Sequence, residues 1–456
     1  MEATKDKKII VLGAGLGGLL AAYRLGQAGF AVTVYEKKPK SDLGYPWHDS
    51  VKPDTFSDVK LQVPKEALIK KQRLNFFCLQ SDSFVRQKEK AENSYDVDRK
   101  MLLHYMLNLA ESCCNVVYDT APDSLIVDNE QIKGVVIGGK KIYADLVIDS
   151  TGCQSPYRKE IPKKFFIQSD INPDDYMQGY RAFYRRNPVH KKTVSNVYLK
   201  PDAGNSVMWC KDAPSDDEVD VFIGKINTLT DEEINTFLSM LRAKNEILGD
   251  ELLRAERATL AVRYTLAVFV ADGYVLCGDS AFMEMPMVGS GIESALKAGN
   301  YLTNVILSPF CYDFSAKKLW DYEVKFMRHV GSNFIAADYL KRWAMSLSDE
   351  DLNWVYSSGI ITQNFTALED EETPKRFSLK GIKERNPNFF QKAGIALKRR
   401  DLLSKTIKAL NTAAQAKLTA MLIPPVYKIE NIKKWAAKYD AIIYPQTSGE
   451  NEQTKS

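Results

Sequence analysis

Hydrophobic residues recur at two spacings along this chain, and the changes of spacing mark its elements. Lys8-Ile-Ile-Val-Leu12 is a short unbroken apolar run of the buried-strand kind. Gly13-Ala-Gly15-Leu-Gly17-Gly18 follows, and Leu19-Leu-Ala-Ala-Tyr-Arg-Leu25 then has helical period until Gly29 interrupts it. Ala31-Val-Thr-Val-Tyr35 is a second apolar strand, closed by Glu36. The order predicts strand, helix and strand within about 30 residues.

Residues 41–94, with Pro46, Pro53, Pro64 and a polar stretch over 80–94, read as loops and short elements. A helix is expected over 101–112, then strands at 115–118, 124–127 and 134–137, and a buried strand in Leu146-Val-Ile-Asp149. Alternating segments at 196–199, 206–209 and 219–223 predict an antiparallel sheet. Thr230-Asp-Glu-Glu233 has the form of a capping box, and Ile234, Phe237, Leu238 and Leu241 give its helix one apolar face to lay on that sheet. The α/β rhythm returns in Gly273-Tyr-Val-Leu-Cys-Gly278, a strand running into Asp279, and in a helix over 291–299. From about 306 the segments are helical and polar, without an internal repeat. The expected organisation is a discontinuous α/β domain (1–40, 95–160, 263–305), a sheet domain (41–94, 161–262) and a helical C-terminal region with a basic tail (306–456).

A length of 456 residues corresponds to about three structural units. With 45% hydrophobic and 26% charged residues the whole chain is neither disordered nor fibrous. No apolar run approaches the roughly 18 residues of a membrane span, and the first residues lack the order of a signal peptide, so a cytoplasmic location is expected. Seven scattered cysteines without a C-x-x-C pair, and four distant histidines, argue against disulfides and against a metal site. The net charge of +4 conceals a split: residues 391–439 hold eleven Lys or Arg against only Asp401 and Glu430. A basic tail on a mildly acidic body does not describe a nucleic-acid binder.

The strongest chemical signal is Gly13-x-Gly15-x-x-Gly18 between a strand and a helix, with Glu36 placed to accept hydrogen bonds from a ribose diol. The glycines permit a tight turn, close approach of a pyrophosphate and close helix packing, and the carboxylate repels a 2′-phosphate. The ligand is therefore FAD or NAD rather than NADP. Gly278-Asp279 arrives 265 residues after Gly13, which favours FAD, because a nicotinamide site is usually completed within one continuous domain. No second G-x-G-x-x-G follows a strand.

Three blocks in this order resemble flavoprotein oxidoreductases of the para-hydroxybenzoate hydroxylase type, and among them the geranylgeranyl reductase branch. They are 13–36, the stretch Ala144-Asp-Leu-Val-Ile-Asp-Ser-Thr-Gly-Cys-Gln-Ser-Pro-Tyr-Arg158, and Gly278-Asp-Ser-Ala281 with Pro286-Met-Val-Gly-Ser-Gly-Ile292. They span 8 to about 305 and leave the rest of the chain uncovered. The resemblance implies a Rossmann-like FAD-binding domain with an antiparallel substrate sheet. It implies that Asp279 holds the flavin ribityl chain, and that the loop through Pro286, Gly289, Ser290 and Gly291 passes the pyrimidine edge. The helix from Ile292 would then point its positive end at that edge. Gly13, Gly15, Gly17, Gly18, Glu36 and Gly152 join this set, and Arg99 matches an arginine that approaches the FAD phosphates.

Where the hydroxylases carry Asp-Gly, this chain has Thr151-Gly152, and of the reductases' substrate-domain motif only Trp209 remains. Their Cys-Gly loop is replaced by Leu43-Gly-Tyr-Pro-Trp-His48, which makes Tyr45 and His48 the candidates for acid or base work. The resemblance implies reduction of C=C bonds in a small hydrophobic, isoprenoid-like substrate, with NAD(P)H or a ferredoxin-like protein as electron donor. The alternatives are a flavin-dependent monooxygenase or halogenase, and a flavin-binding redox sensor without turnover. For the basic tail, Leu403, Ile407, Leu410, Ala414 and Leu418 recur at helical steps. That pattern suits a solvated helix packed on the body, a partner surface, or peripheral contact with the inner membrane surface.

Overall fold

A computed structural model describes residues 6–52, 54–70, 74–78, 84–88, 95–188, 195–202, 204–287, 289–309, 313–357 and 399–445. The unbroken apolar runs become a central sheet. β1 (Lys8–Leu12), β2 (Ala31–Tyr35), β8 (Asn115–Val117), β12 (Leu146–Asp149) and β19 (Tyr274–Leu276) lie parallel, and short β18 (Val270–Ala271) runs antiparallel at the edge. The order is β18-β19-β12-β1-β2-β8. Every residue of β12 is buried, as expected of a strand covered on both faces. α1 (Leu16–Gln27) and α2 (Arg99–Glu111) pack together, and α1 also rests on α4 (Ile292–Ile306). A three-stranded meander, β9 (Ser124–Asp128), β10 (Gln131–Ile137) and β11 (Lys140–Tyr143), completes this domain.

The second sheet has the order β17-β13-β16-β15-β14-β5-β6. Its strands are β5 (Leu74–Cys78), β6 (Phe84–Lys88), β13 (Tyr176–Arg186), β14 (Ser195–Leu199), β15 (Ser206–Asp212), β16 (Glu218–Ile226) and β17 (Leu248–Ala261). It is antiparallel except for the β14–β5 pair. Thr230 and Glu233 form the expected reciprocal cap on α3 (Asp231–Lys244), whose Ile234, Phe237, Leu238 and Leu241 are buried against this sheet. The anticipated fold class therefore holds: a Rossmann-like α/β domain, an antiparallel sheet domain and helices at the C-terminal end.

The structure splits the 41–94 stretch that the sequence assigns to one domain. Leu43, Val51, Phe56, Val59, Leu61 and Ala67 pack into the core of the Rossmann-like domain, whereas β5 and β6 extend the large sheet. Short strands β3 (His48–Val51), β4 (Leu68–Lys70) and β7 (Tyr95–Asp98) pair between them in the order β3-β7-β4. Nor are the C-terminal helices an appendage. α5 (Ala316–Phe326), α6 (Ser332–Ser346), α7 (Asp349–Ser357), α8 (Arg400–Met421) and α9 (Ile429–Asp440) follow α4. Trp320, Ile335, Ala413 and Tyr439 belong to the same hydrophobic cluster as Ile9 and Leu12. Lys398, part of the basic tail, falls outside the described residues.

Candidate active site

Three strand ends build the site. Leu12 lies opposite Asp149, and Asp149 opposite Leu276, so the loops after β1, β12 and β19 leave the sheet at one edge. Such a carboxyl edge is where open α/β sheets bind ligands. Gly13 turns at φ +80°, and a Cβ there would stand 2.7 Å from the Ser150 carbonyl oxygen. At Gly15 it would stand 2.8 Å from the same oxygen, and at Gly18 2.6 Å from Ser150 Cβ. Ser150 is thus the wall against which the glycine turn closes, and the Gly18 N–H donates to its Oγ at 3.3 Å. Gly15 caps α1 without a side-chain bond, which leaves the N–H groups of Leu16 and Gly17 and the helix dipole for an anion. Glu36 is buried at the end of β2 and accepts from the Ala14 N–H (2.8 Å) and the Lys38 N–H (2.9 Å). Gly17 serves packing: a Cβ there would meet Ala295 O at 2.6 Å and Cys277 Sγ at 2.8 Å, so it lets α4 touch α1.

The second and third blocks are bolted together by buried hydrogen bonds. Asp149 accepts from Thr151 N–H (2.9 Å), Thr151 Oγ1 (2.7 Å), Ser155 Oγ and the Tyr274 hydroxyl (2.6 Å). The Ser280 hydroxyl donates to the Asp149 carbonyl (2.6 Å). Arg158 donates to the carbonyls of Ser280 and Cys153, each at 2.7 Å. This frame presents Gly152 (φ +93°) and Gly278 (φ +80°) to open space: nothing lies within 4 Å of a Cβ at the first, and only Ala295 Cβ, at 3.7 Å, near the second.

The Pro286 to Ile292 loop turns back through Met285 N–H to Ser290 O (3.0 Å) and Gly289 N–H to Met285 O (2.9 Å), and Gly291 caps α4 without a side chain. Two carboxyls flank it. A Cβ at Gly291 would sit 3.3 Å from Asp279 Oδ1 and 3.6 Å from Glu284 Cγ. Burial pushes Asp279 above the ordinary carboxylate range, and the Arg99 guanidinium opposes the shift. Burial, and next the Asp279 charge, push Glu284 well above that range. Cys153 is a packed thiol whose pKa is raised by burial and then by these two carboxylates. Met283 and Cys277, both fully buried, face inward: Met283 Sδ accepts from the Gly278 N–H at 3.3 Å.

Arg99 begins α2, and its N–H donates to Trp47 O (2.9 Å). Its guanidinium pairs with Asp49 at 3.0 Å and lies over the rings of Tyr45 (5.5 Å) and Trp47 (5.8 Å). Tyr45 stacks on Trp47 at 4.3 Å. His48 Nε2 lies 3.5 Å from Asp98, the cap of α2, while its buried Nδ1 has no partner among the described residues. The structure therefore gathers Tyr45 and His48 around the start of α2, where Arg99 acts electrostatically on Asp279 and Glu284.

Behind them stands the face of the large sheet that α3 does not cover. Arg181, buried there, holds Asp220 by two hydrogen bonds (3.0 and 2.7 Å), Asp49 at 3.2 Å and His48 O at 2.9 Å. It lies over Trp47 and Trp209, and Trp209 stacks on Phe222 at 4.2 Å. Gly179 and Gly224 pair directly beside them, and Phe222 covers both, which adds apolar surface next to the charged cluster. Asp49, Arg181, Asp220 and Glu284 were not singled out from the sequence. A lone acid in the apolar run Phe282-Met-Glu-Met-Pro-Met287 was the available signal for Glu284.

The residues present fit FAD: two helix N-termini whose N-cap glycines offer no side chain, an acid at the end of β2, glycine surfaces kept open between them and a half-buried carboxyl at Asp279. A NAD(P)-binding Rossmann-like domain model matches residues 11–57. The digeranylgeranylglycerophospholipid reductase of Sulfolobus acidocaldarius is 22% identical over 78% of this chain and 81% of its own length. The enzyme of the same name from Methanoculleus marisnigri is 23% identical over 84% and 96%. Among solved structures, a geranylgeranyl bacteriochlorophyll reductase-like protein from Thermoplasma acidophilum superposes with a TM-score of 0.67 at 16% identity, covering 87% of this chain and 99% of its own. The halogenase PltM superposes at 0.59 with 12% identity over 96% and 95%, which is likeness of fold. The resemblance to the geranylgeranyl reductase branch, read from three motif blocks, holds along most of the chain.

Proposed function

We propose that this chain is an FAD-dependent oxidoreductase that reduces carbon–carbon double bonds of a hydrophobic, isoprenoid-like substrate. The observation that carries the reading is the convergence of all three blocks on one sheet edge, in a chain similar over most of its length to proteins named digeranylgeranylglycerophospholipid reductase. FAD, when bound, supplies the hydride for such a reduction. The glycine turn and the N-terminus of α1 bind the pyrophosphate, and Glu36 orients the ribose. Asp279 anchors the ribityl hydroxyls, and the N-terminus of α4 presents its positive end to the ring.

The substrate end is assigned to the uncovered sheet face and the 43–49 loop. Phe222, Trp209 and Trp47 offer apolar and aromatic surface that excludes water, and the Arg181 cluster fixes the loop's position. Reduction of a double bond also needs a proton. Burial and the neighbouring Asp279 raise the pKa of Glu284, which makes its carboxyl the first candidate donor, ahead of Tyr45 and His48, which the sequence nominates. The electron donor is NAD(P)H or a ferredoxin-like protein.

Product analysis tests the reading. Lipids with geranylgeranyl chains, incubated under argon with holoenzyme and a chemical reductant, should gain two hydrogens per double bond by mass spectrometry. Substrate that is unchanged under argon and gains oxygen or halogen in air would assign the chain to the monooxygenase or halogenase alternative.

A further inference from the structure

α8 meets the body mainly through small side chains and turns most of its large apolar ones outward. Ala409, Ala413, Ala416 and Ala420 are buried in its contact with α6, together with Leu402 and Thr406. This reverses the usual arrangement of a surface helix, whose large apolar residues face the core. The opposite face carries Leu403, Leu410 and Ala414 half-buried, with Ile407 at 48% and Leu418 at 53% exposure. The strip continues through the turn into α9 with Leu422 (74%), Val426 (57%) and Ile429 (41%).

These side chains are held out by an ordered frame. The Trp320 indole N–H donates to Pro424 O at 2.7 Å, Ile423 is fully buried, and the Trp435 indole N–H donates to Thr419 O at 2.7 Å. The turn cannot roll Leu422 or Val426 inward without breaking these contacts. Around the strip stand exposed Arg400, Lys405 and Lys408 on α8, and Lys428, Lys433 and Lys434 at α9. Asp401 and Glu430 are the only acids among residues 391–439, while of the eleven basic residues Arg399 pairs with Glu350 and Asp351 and Lys417 is buried. Among the described residues no helix is long and apolar enough to cross a membrane.

We propose that this face of α8 and α9 docks the protein on an anionic lipid bilayer, with Leu418, Leu422, Val426 and Ile429 inserted at the acyl boundary and the lysines among the phosphates. An apolar strip ringed by positive charge selects an anionic surface, and it opposes pairing with a second copy that carries the same charge. The docking does not depend on which lipid, if any, the active site reduces.

The test is co-sedimentation of the full-length holoprotein with vesicles of zwitterionic lipid alone and with vesicles containing an anionic phospholipid. The wild type should pellet with the anionic vesicles and be released at high salt. Leu418→Ser combined with Leu422→Ser should weaken partitioning by about tenfold or more, since it removes two inserted side chains. Both positions are exposed, so FAD content and melting temperature should match the wild type and serve as the folding control. Wild-type protein that stays in the supernatant with anionic vesicles would overturn the proposal. So would unchanged partitioning of the double variant, or sedimentation velocity showing a dimer that the double variant abolishes.

Discussion

Single residues decide whether the cofactor can be held. Gly15 stands between Ser150 and the space assigned to the pyrophosphate, so Gly15→Val has nowhere to place a side chain without pushing on the Ser150 carbonyl 2.8 Å away. The variant should purify colourless, with FAD content near zero by absorbance. A yellow variant with full occupancy would remove the glycine turn from the site. Glu323 makes a different prediction. Its carboxyl is fully buried in α5, where Oε2 accepts from the Phe269 N–H (2.9 Å) and Oε1 has no partner among the described residues. Burial pushes its pKa well above the usual range. A carboxyl raised on folding is matched to the unfolded chain at acid pH and destabilises progressively as pH climbs past its ordinary value. Glu323→Gln should therefore gain on the wild type as pH rises from about 5 to about 8, by at most about 1.4 kcal/mol per pH unit. Urea unfolding at both pH values measures this; parallel pH dependence of the two proteins would mean that Glu323 is ionised in the folded state. The same desolvation raises Glu284, which the sequence did not flag, because Arg99 and Asp49 come near it only through the fold.

At the scale of elements, legibility followed the strength of the period. β1, α1 and β2 were readable because an unbroken apolar run, a glycine turn and a helical repeat stand side by side. The α3 cap was readable because both capping partners lie within one turn. β5 and β6 were not, since β5 pairs with β14, more than 100 residues later, and β6 joins the sheet only through β5. α8 shows a subtler failure. Its leucine and isoleucine stripe was correctly seen as periodic, yet the face that packs is the alanine stripe, because only small side chains allow α6 to come close. Enlarging the packed face should cost more than trimming the exposed one. Ala413→Leu should lose about 1–3 kcal/mol by overpacking, and Leu418→Ala less than about 0.5 kcal/mol. Equal denaturant midpoints for the two variants would contradict this orientation of the helix.

At the scale of the molecule, the C-terminal helices close the Rossmann-like domain. Tyr264 donates to Asp440 (2.7 Å), Tyr439 to Thr265 O (3.0 Å), and Arg342 and Tyr444 both hold Asp175. Their docking binds 399–445 to the segment just before the Gly278-Asp279 motif, so the basic face and the cofactor edge belong to one core. Sequence reasoning placed the three blocks in one site but could not see this closure, which rests on tyrosines and aspartates without local pattern. In the function proposed above, the converged edge holds an FAD that passes electrons to an unsaturated lipid. An anaerobic absorbance measurement tests it most directly: reduce the holoprotein under argon, add a geranylgeranyl lipid, and only then admit air. The lipid alone is expected to restore the oxidised flavin spectrum. A flavin that stays reduced with the lipid and recovers only on contact with oxygen would contradict it.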